Sequence, residues 1–142
     1  MEARLSGPQI CYLLHRAAWG VAAEERRLIH ENYGMGRSDF HVLETLLIRG
    51  PLPVSAIGRK VLLTSGSITT AVVRLEKRGF VGRSRNPNDR RISVIELTRI
   101  GRETIEAADV RHAEMLENQI SRLSDAEKSQ LAKLLQKLVE KR

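Results

Sequence analysis

The chain has 142 residues, enough for one ordinary domain with a real core, and its 42% hydrophobic and 29% charged residues exclude a disordered chain. No stretch approaches the roughly 20 apolar residues of a membrane span. The segment 10–23 is interrupted by His15 and Arg16, so it does not read as a signal peptide. The formal net charge is +7. Nine Lys or Arg stand against three Asp or Glu between Ser65 and Arg102, so +6 of that charge lies in one segment.

In chain order, six helical segments and one hairpin are expected. Ser6-Gly7-Pro8 is a helix start, and Ile10, Leu13, Leu14, Ala17, Ala18 and Val21 then follow the 3.6-residue period. This helix fades near Tyr33-Gly34-Met35-Gly36. Ser38 is the expected cap of a second helix through Phe40, Leu43, Leu46 and Leu47, which Gly50-Pro51-Leu52-Pro53 ends. A short third helix turns Val54, Ile57 and Val61 inward. A tight link, Leu62 to Gly66, leads to a fourth helix over about Ser67–Arg78, with Ile68, Ala71, Val72 and Leu75 as its buried stripe and Gly79 as its stop.

Phe80–Arg85 and Ile92–Leu97 are the arms of a β-hairpin around the turn residues Asn86-Pro87-Asn88-Asp89, although Val94 and Ile95 break the alternation. A long helix follows, with Ile105, Ala108, His112, Met115, Gln119 and Leu123 near one face. Ser124-Asp125-Ala126-Glu127 is a capping box, and Leu131, Leu134, Leu135 and Leu138 stripe the final helix.

Two short helices joined by a tight turn and followed by a basic hairpin make a winged helix-turn-helix. The fold class is therefore mainly α, with added N- and C-terminal helices. A basic segment in a near-neutral scaffold is the electrostatic footprint of a polyanion. Aromatic residues are only 4%, too few for the stacking platforms that single strands need, so double-stranded DNA is the expected partner. A membrane surface would want an amphipathic basic helix, and much of the charge falls instead in a turn-rich segment. The fourth helix turns Ser67, Thr69, Thr70, Val73, Arg74 and Lys77 away from the core. Small hydroxyls allow close approach, and Arg74 can reach a guanine or a phosphate. Ser65 and Gly66 offer backbone N–H groups at a helix N-terminus, which suits phosphate. In the hairpin, Arg83 and Arg85 share one strand face. Asp89, Arg90 and Arg91 sit at or just past the tip, where an arginine can enter a narrow minor groove and Asp89 can fix its fork.

Several runs together carry a family resemblance: Ser38-Asp39-Phe40 with Val42-Leu43-Glu44, Gly50 to Val54, Val61 to Thr69, and Arg74-Leu75-Glu76-Lys77-Arg78-Gly79. Asp89-Arg90-Arg91 and Leu97-Thr98-Arg99-Ile100-Gly101 complete the set. In this order they resemble the multiple-antibiotic-resistance regulator (MarR) family over nearly the whole chain. The resemblance implies a homodimeric transcriptional regulator on a pseudo-palindromic operator, often a repressor released by a small molecule or by oxidation. It also implies that residues Ser65 to Arg74 match the recognition helix, Arg91 the minor-groove arginine and Asp89 its orienting partner. Val73 stands where the family commonly has a polar residue. The Leu62-Leu63-Thr64-Ser65-Gly66-Ser67 stretch resembles a subgroup linked to quinone and electrophile stress.

The expected division is a reading head over 38–99, flanked by dimerisation helices over 1–34 and 102–142. Pairing the flanking apolar stripes between two chains would set two heads about one DNA turn, roughly 34 Å, apart. Cys11, the single cysteine, excludes an intramolecular disulfide framework and fits a reducing, cytoplasmic compartment. It shares a helix face with His15 and Trp19, so it is a redox candidate if His15 lowers its thiol pKa. Zinc-responsive members of the family use His, Glu and Cys from the regions of His30, Glu31, His41, Glu44 and His112. Here Ala108 stands one turn before His112, so these residues read as surface or core groups and no metal or other cofactor is expected. A small organic or electrophile effector is the family's usual ligand, with Trp19, Phe40, His41 and Leu46 as possible lining. No nucleophile elbow, phosphate loop, zinc-hydrolase motif or dinucleotide fingerprint is present, so no enzyme is expected. The alternatives are a redox sensor working through Cys11 and a winged-helix protein-interaction module without DNA.

Overall fold

A computed structural model describes residues 5–60 and 65–140. Six helices and three strands follow one another along the chain: α1 (Gly7–Tyr33), α2 (Arg37–Arg49), β1 (Leu52–Pro53), α3 (Val54–Lys60), α4 (Ser65–Lys77), β2 (Val81–Arg85), β3 (Ser93–Leu97), α5 (Arg99–Gln119) and α6 (Asp125–Val139). The fold is a mainly helical winged helix-turn-helix with helices added at both ends. The inward placement of Val61, the link from Leu62 and the side chain of Ser65 lie outside the described residues.

Local chemistry sets the helix ends. Ser6 and Gln9 make a capping box for α1, and Gly34, at φ +58°, closes it in the left-handed region that glycine adopts freely. Ser124 and Glu127 cap α6 in the same way, and the Ser124 backbone N–H and hydroxyl hold the Glu127 carboxyl below its ordinary value. At α2 the expectation of a Ser38 cap is corrected. The cap is Gly36, two residues earlier, and Asp39 reaches back to take the Gly36 N–H at 3.1 Å. A carboxylate three residues into the helix serves where the serine was expected.

The strand that the sequence reading missed is β1. Leu52 and Pro53 pair antiparallel with Ile95 and Val94, on the opposite edge of β3 from β2. That makes β3 the central strand. It explains why Val94 and Ile95 are both buried despite being neighbours, at 9% and 0% exposure. Proline is tolerated in β1 because that strand is an edge.

One core joins the head to its flanking helices. Phe40, Val42, Leu43 and Leu46 of α2, Ile57 of α3, and Ile68, Ala71, Val72 and Leu75 of α4 meet Val81 and Ile95 of the sheet. Ile29 of α1 and Ile105 and Ala108 of α5 belong to the same cluster, so the inner ends of these two helices are part of the head. Each fully buried Ile, Leu or Phe contributes about 1.5–3 kcal/mol by leaving water. The outer portion of α1 and all of α6 behave differently. Ile10, Tyr12, Leu13, Trp19, Leu131, Leu134, Leu135 and Leu138 are exposed, and α6 buries no residue.

Polar groups stitch α1, α2 and α5 together beside this core. Glu25 of α1 is buried. It forms an ion pair with Arg37 Nε at 2.8 Å and meets His112 Nε2 of α5 at 2.9 Å. His112 also packs edge-on against Phe40, with ring centroids 4.8 Å apart. His41 reaches Glu44 through Nδ1 at 3.3 Å. That hydrogen bond, with the charges of His41 and His112, holds the Glu44 carboxyl below its ordinary value, and burial opposes the shift. A carboxyl depressed in the folded state adds stability above its unfolded pKa, and the contribution is lost as pH falls through the folded value. The melting temperature is therefore expected to drop as pH falls below the ordinary Glu value, about 4.3, through the lower folded value. Glu44→Gln should flatten that drop in circular-dichroism melts, and parallel curves for the two proteins would remove Glu44 from the acid response.

Candidate nucleic-acid interface

The N-terminus of α4 lies at the surface beside the N-terminus of α2. Ser38, Gly66, Ser67, Thr70 and Arg74 line a shallow open depression there. As the periodicity required, Ile68, Ala71, Val72 and Leu75 face inward, and Gly66, Ser67, Thr69, Thr70, Val73, Arg74 and Lys77 are exposed. A Cβ at Gly66 would meet nothing within 4 Å, so the backbone at this helix end is open to a close ligand. The Thr70 hydroxyl donates back to the Gly66 carbonyl at 2.9 Å, which leaves its methyl and oxygen on the outer face.

Two of the arginines expected to face DNA are engaged within the protein. Arg74 donates through Nη2 and Nε to Asp39 Oδ1, at 2.7 and 3.1 Å, and through Nη2 to Ser38 Oγ at 3.3 Å. Asp39 is only 4% exposed. Burying a carboxylate is costly unless it is paired, so this two-pronged ion pair is a structural clamp between α4 and α2. Arg83 is similarly held, with Nη2 and Nε on Glu76 Oε1 at 2.6 and 3.1 Å. That pair ties β2 to α4 from the wing side.

The hairpin tip is built by side-chain turns. Asn86 Oδ1 accepts the Asn88 N–H at 2.9 Å, and Asp89 Oδ1 accepts the Arg91 N–H at 3.0 Å. Asp89 was expected to fix the guanidinium fork of Arg91. It holds the Arg91 backbone N–H, and its carboxylate meets Arg91 Nε only at 4.0 Å, with the Arg91 side chain 95% exposed. The tip thus presents Arg91 as a projecting cation on a fixed stem. Along α5, Arg99 and Arg102 meet Glu103 and Glu106 at 3.0 and 3.9 Å. Among the described residues, Lys77, Arg85 and Arg90 make no ion pair. With Arg91 they are candidate charges for an outside anion.

The remaining candidates fall away from this surface. Cys11 is exposed on α1, and His15 turns Nδ1 to the Cys11 carbonyl at 2.7 Å, so the imidazole is spent on the backbone and not on the sulfur. Trp19 is 74% exposed, whereas Phe40 and Leu46 are sealed in the core at 0% and 1%. Phe40 and Leu46 therefore present almost no surface to an effector in this chain. His30 and Glu31 are exposed on α1 and stand apart from the His41–Glu44 pair. Glu44, Asp109 and His112 place ligand atoms within 4.8 Å of one another and could together hold a cation. Asp109 was not singled out from the sequence, although its place three residues before His112 puts both on one helix face.

Comparison with known proteins agrees with this architecture. Residues 36–93, from α2 into β3, match the MarR family model. The HTH-type transcriptional regulator YkoM of Bacillus subtilis is 36% identical over 126 residues, covering 89% of this chain and 82% of the relative. The fold superposes on Sco3205, a MarR family transcriptional regulator from Streptomyces coelicolor solved in complex with DNA. The TM-score is 0.84, with 22% identity and coverage of 99% and 91% of the two chains. It also matches Bordetella bronchiseptica BpsR, at TM-score 0.82 and 24% identity, with 99% of each chain covered. No described helix is long and apolar enough to cross a membrane. The chain belongs to the MarR family of helix-turn-helix proteins: it is a DNA-binding transcriptional regulator and not an enzyme.

Proposed function

We propose that the chain acts as a homodimeric repressor that reads a pseudo-palindromic operator in duplex DNA and releases it on binding a small organic effector. One observation carries this reading: an α4 face of small polar residues lies beside a hairpin whose tip projects Arg91. A helix of this width enters the major groove, where base edges differ. Thr69, Thr70 and Val73 are the side chains that meet bases, with Val73 suited to a thymine methyl. Gly66 and Ser67 offer the helix N-terminus to a phosphate. Arg91 enters the adjoining minor groove, and Lys77, Arg85 and Arg90 neutralise phosphates.

Dimerisation is supported by the exposed apolar residues of α1 and α6. Sixteen large hydrophobics are exposed in the described chain, and eleven of them lie on Leu5–Trp19 or Ile120–Val139. An apolar surface of that kind marks an interface, and a two-fold pairing is the commonest closure. Release by an effector is supported by BpsR, whose DNA binding is regulated by 6-hydroxynicotinic acid. A redox mechanism through Cys11 is less favoured, because His15 is spent on a backbone carbonyl.

The test is a fluorescence-anisotropy titration of the wild-type chain against the duplex it enriches from a random pool, with scrambled duplex as control, at two salt concentrations. Two chains per duplex, preference over scrambled DNA and a steep loss of affinity with salt are expected. Arg91→Ala should weaken operator binding by about 1–3 kcal/mol. Normal operator binding by that variant would remove Arg91 from the groove. No enrichment of any duplex would favour a protein-interaction module.

A further inference from the structure

We propose that Arg78 is a positioning residue for DNA reading, a strut that fixes the recognition helix to the end of α1, and not a contact to DNA. The inference rests on the DNA-reading function above. Arg78 directly follows α4, in the segment whose charge reads as a footprint for a polyanion. Its guanidinium is committed elsewhere. Nη2 donates to the Tyr33 carbonyl at 2.8 Å and Nη1 to the Gly34 carbonyl at 3.0 Å. The same guanidinium lies over the Phe80 ring, 4.6 Å from its centroid.

Those two carbonyls are at the C-terminus of α1. The last carbonyls of a helix lack intrahelical partners and carry the negative end of its dipole, so a fork of N–H donors with a positive charge suits them on both counts. Arg74, one turn earlier on α4, grips Asp39 in the first turn of α2. The two arginines therefore hold the two sides of the α1–α2 joint. Between them Met35 is 0% exposed, and Gly36 donates its N–H to Asp39. The angle of α4 is thereby referred to α1, the helix whose outer part carries the exposed apolar residues. Any shift of α1 is passed to the reading surface through Arg78.

A strut and a phosphate contact differ in their salt dependence. Losing a phosphate contact lowers the slope of log affinity against log salt by about 0.9 and weakens all sequences alike. Losing a strut misaims base contacts worth about tenfold each and leaves the phosphate count unchanged. The experiment titrates wild type, Arg78→Gln, Arg78→Lys and Lys77→Gln with the enriched duplex and with scrambled duplex at several salt concentrations. For Arg78→Gln the account expects about tenfold weaker binding to the enriched duplex, with its salt slope and scrambled-duplex affinity as in wild type. Arg78→Lys should not rescue it, because one ammonium does not reproduce the fork on two carbonyls. Lys77→Gln should lower the slope and weaken both duplexes. A reduced slope in Arg78→Gln, rescue by lysine, or unchanged affinity overturns the proposal.

Amide hydrogen exchange separates this from failure of the DNA reading. Exchange at Gly34, Gly36 and Phe80 should speed up together in both Arg78 variants, whether or not any duplex is enriched. Unchanged exchange there would overturn the strut by itself.

Discussion

A carboxylate with almost no access to water, Asp39, organises the reading head. Left alone it would be expensive to bury; paired with Arg74 and bonded to the Gly36 amide, it becomes the point where three pieces of chain meet. It starts α2, closes the α1–α2 joint and fixes α4 across the head. Removing Arg74 would leave the Asp39 carboxylate buried without its partner, at a cost below the roughly 3–5 kcal/mol of a fully buried pair because Arg74 is half exposed. The placement of α4 on the head thus depends on a contact made within the protein.

The other ties extend the same logic. Glu76 and Arg83 bind the wing to α4, and Glu25 collects Arg37 and His112 to bind α1, α2 and α5. Packing alone leaves a short helix free to slide on an apolar stripe. Directional ion pairs on its outer side remove that freedom. Part of the basic charge is answered within the protein, because Arg74 and Arg83 pair with Asp39 and Glu76 and Arg99 and Arg102 pair along α5.

Most of the fold was legible in the sequence, because periodicity reports burial directly. The inward stripe Ile68, Ala71, Val72, Leu75 and the Ser124–Glu127 cap are local signals that the structure follows residue by residue. What escaped was non-local. The two-residue β1 has no pattern of its own and exists only because β3 offers a free edge. The partners of Arg74 are 35 and 36 residues away, so the helix period that turned it outward could not reveal its hold on α2. Asp39 displaced Ser38 as the helix-starting residue for the same reason, since its second oxygen is held by Arg74. At the hairpin tip, composition found Asp89 and Arg91 but not which atoms meet, and the closer bond is to the backbone.

In the proposed dimer, two such heads joined through α1 and α6 read one duplex. Hydroxyl-radical footprinting of the wild-type chain on its enriched duplex tests this directly. The account predicts two protected segments related by a dyad and centred about one helical turn apart, roughly 34 Å. A single protected segment at saturating protein, or protection without dyad symmetry, would contradict it.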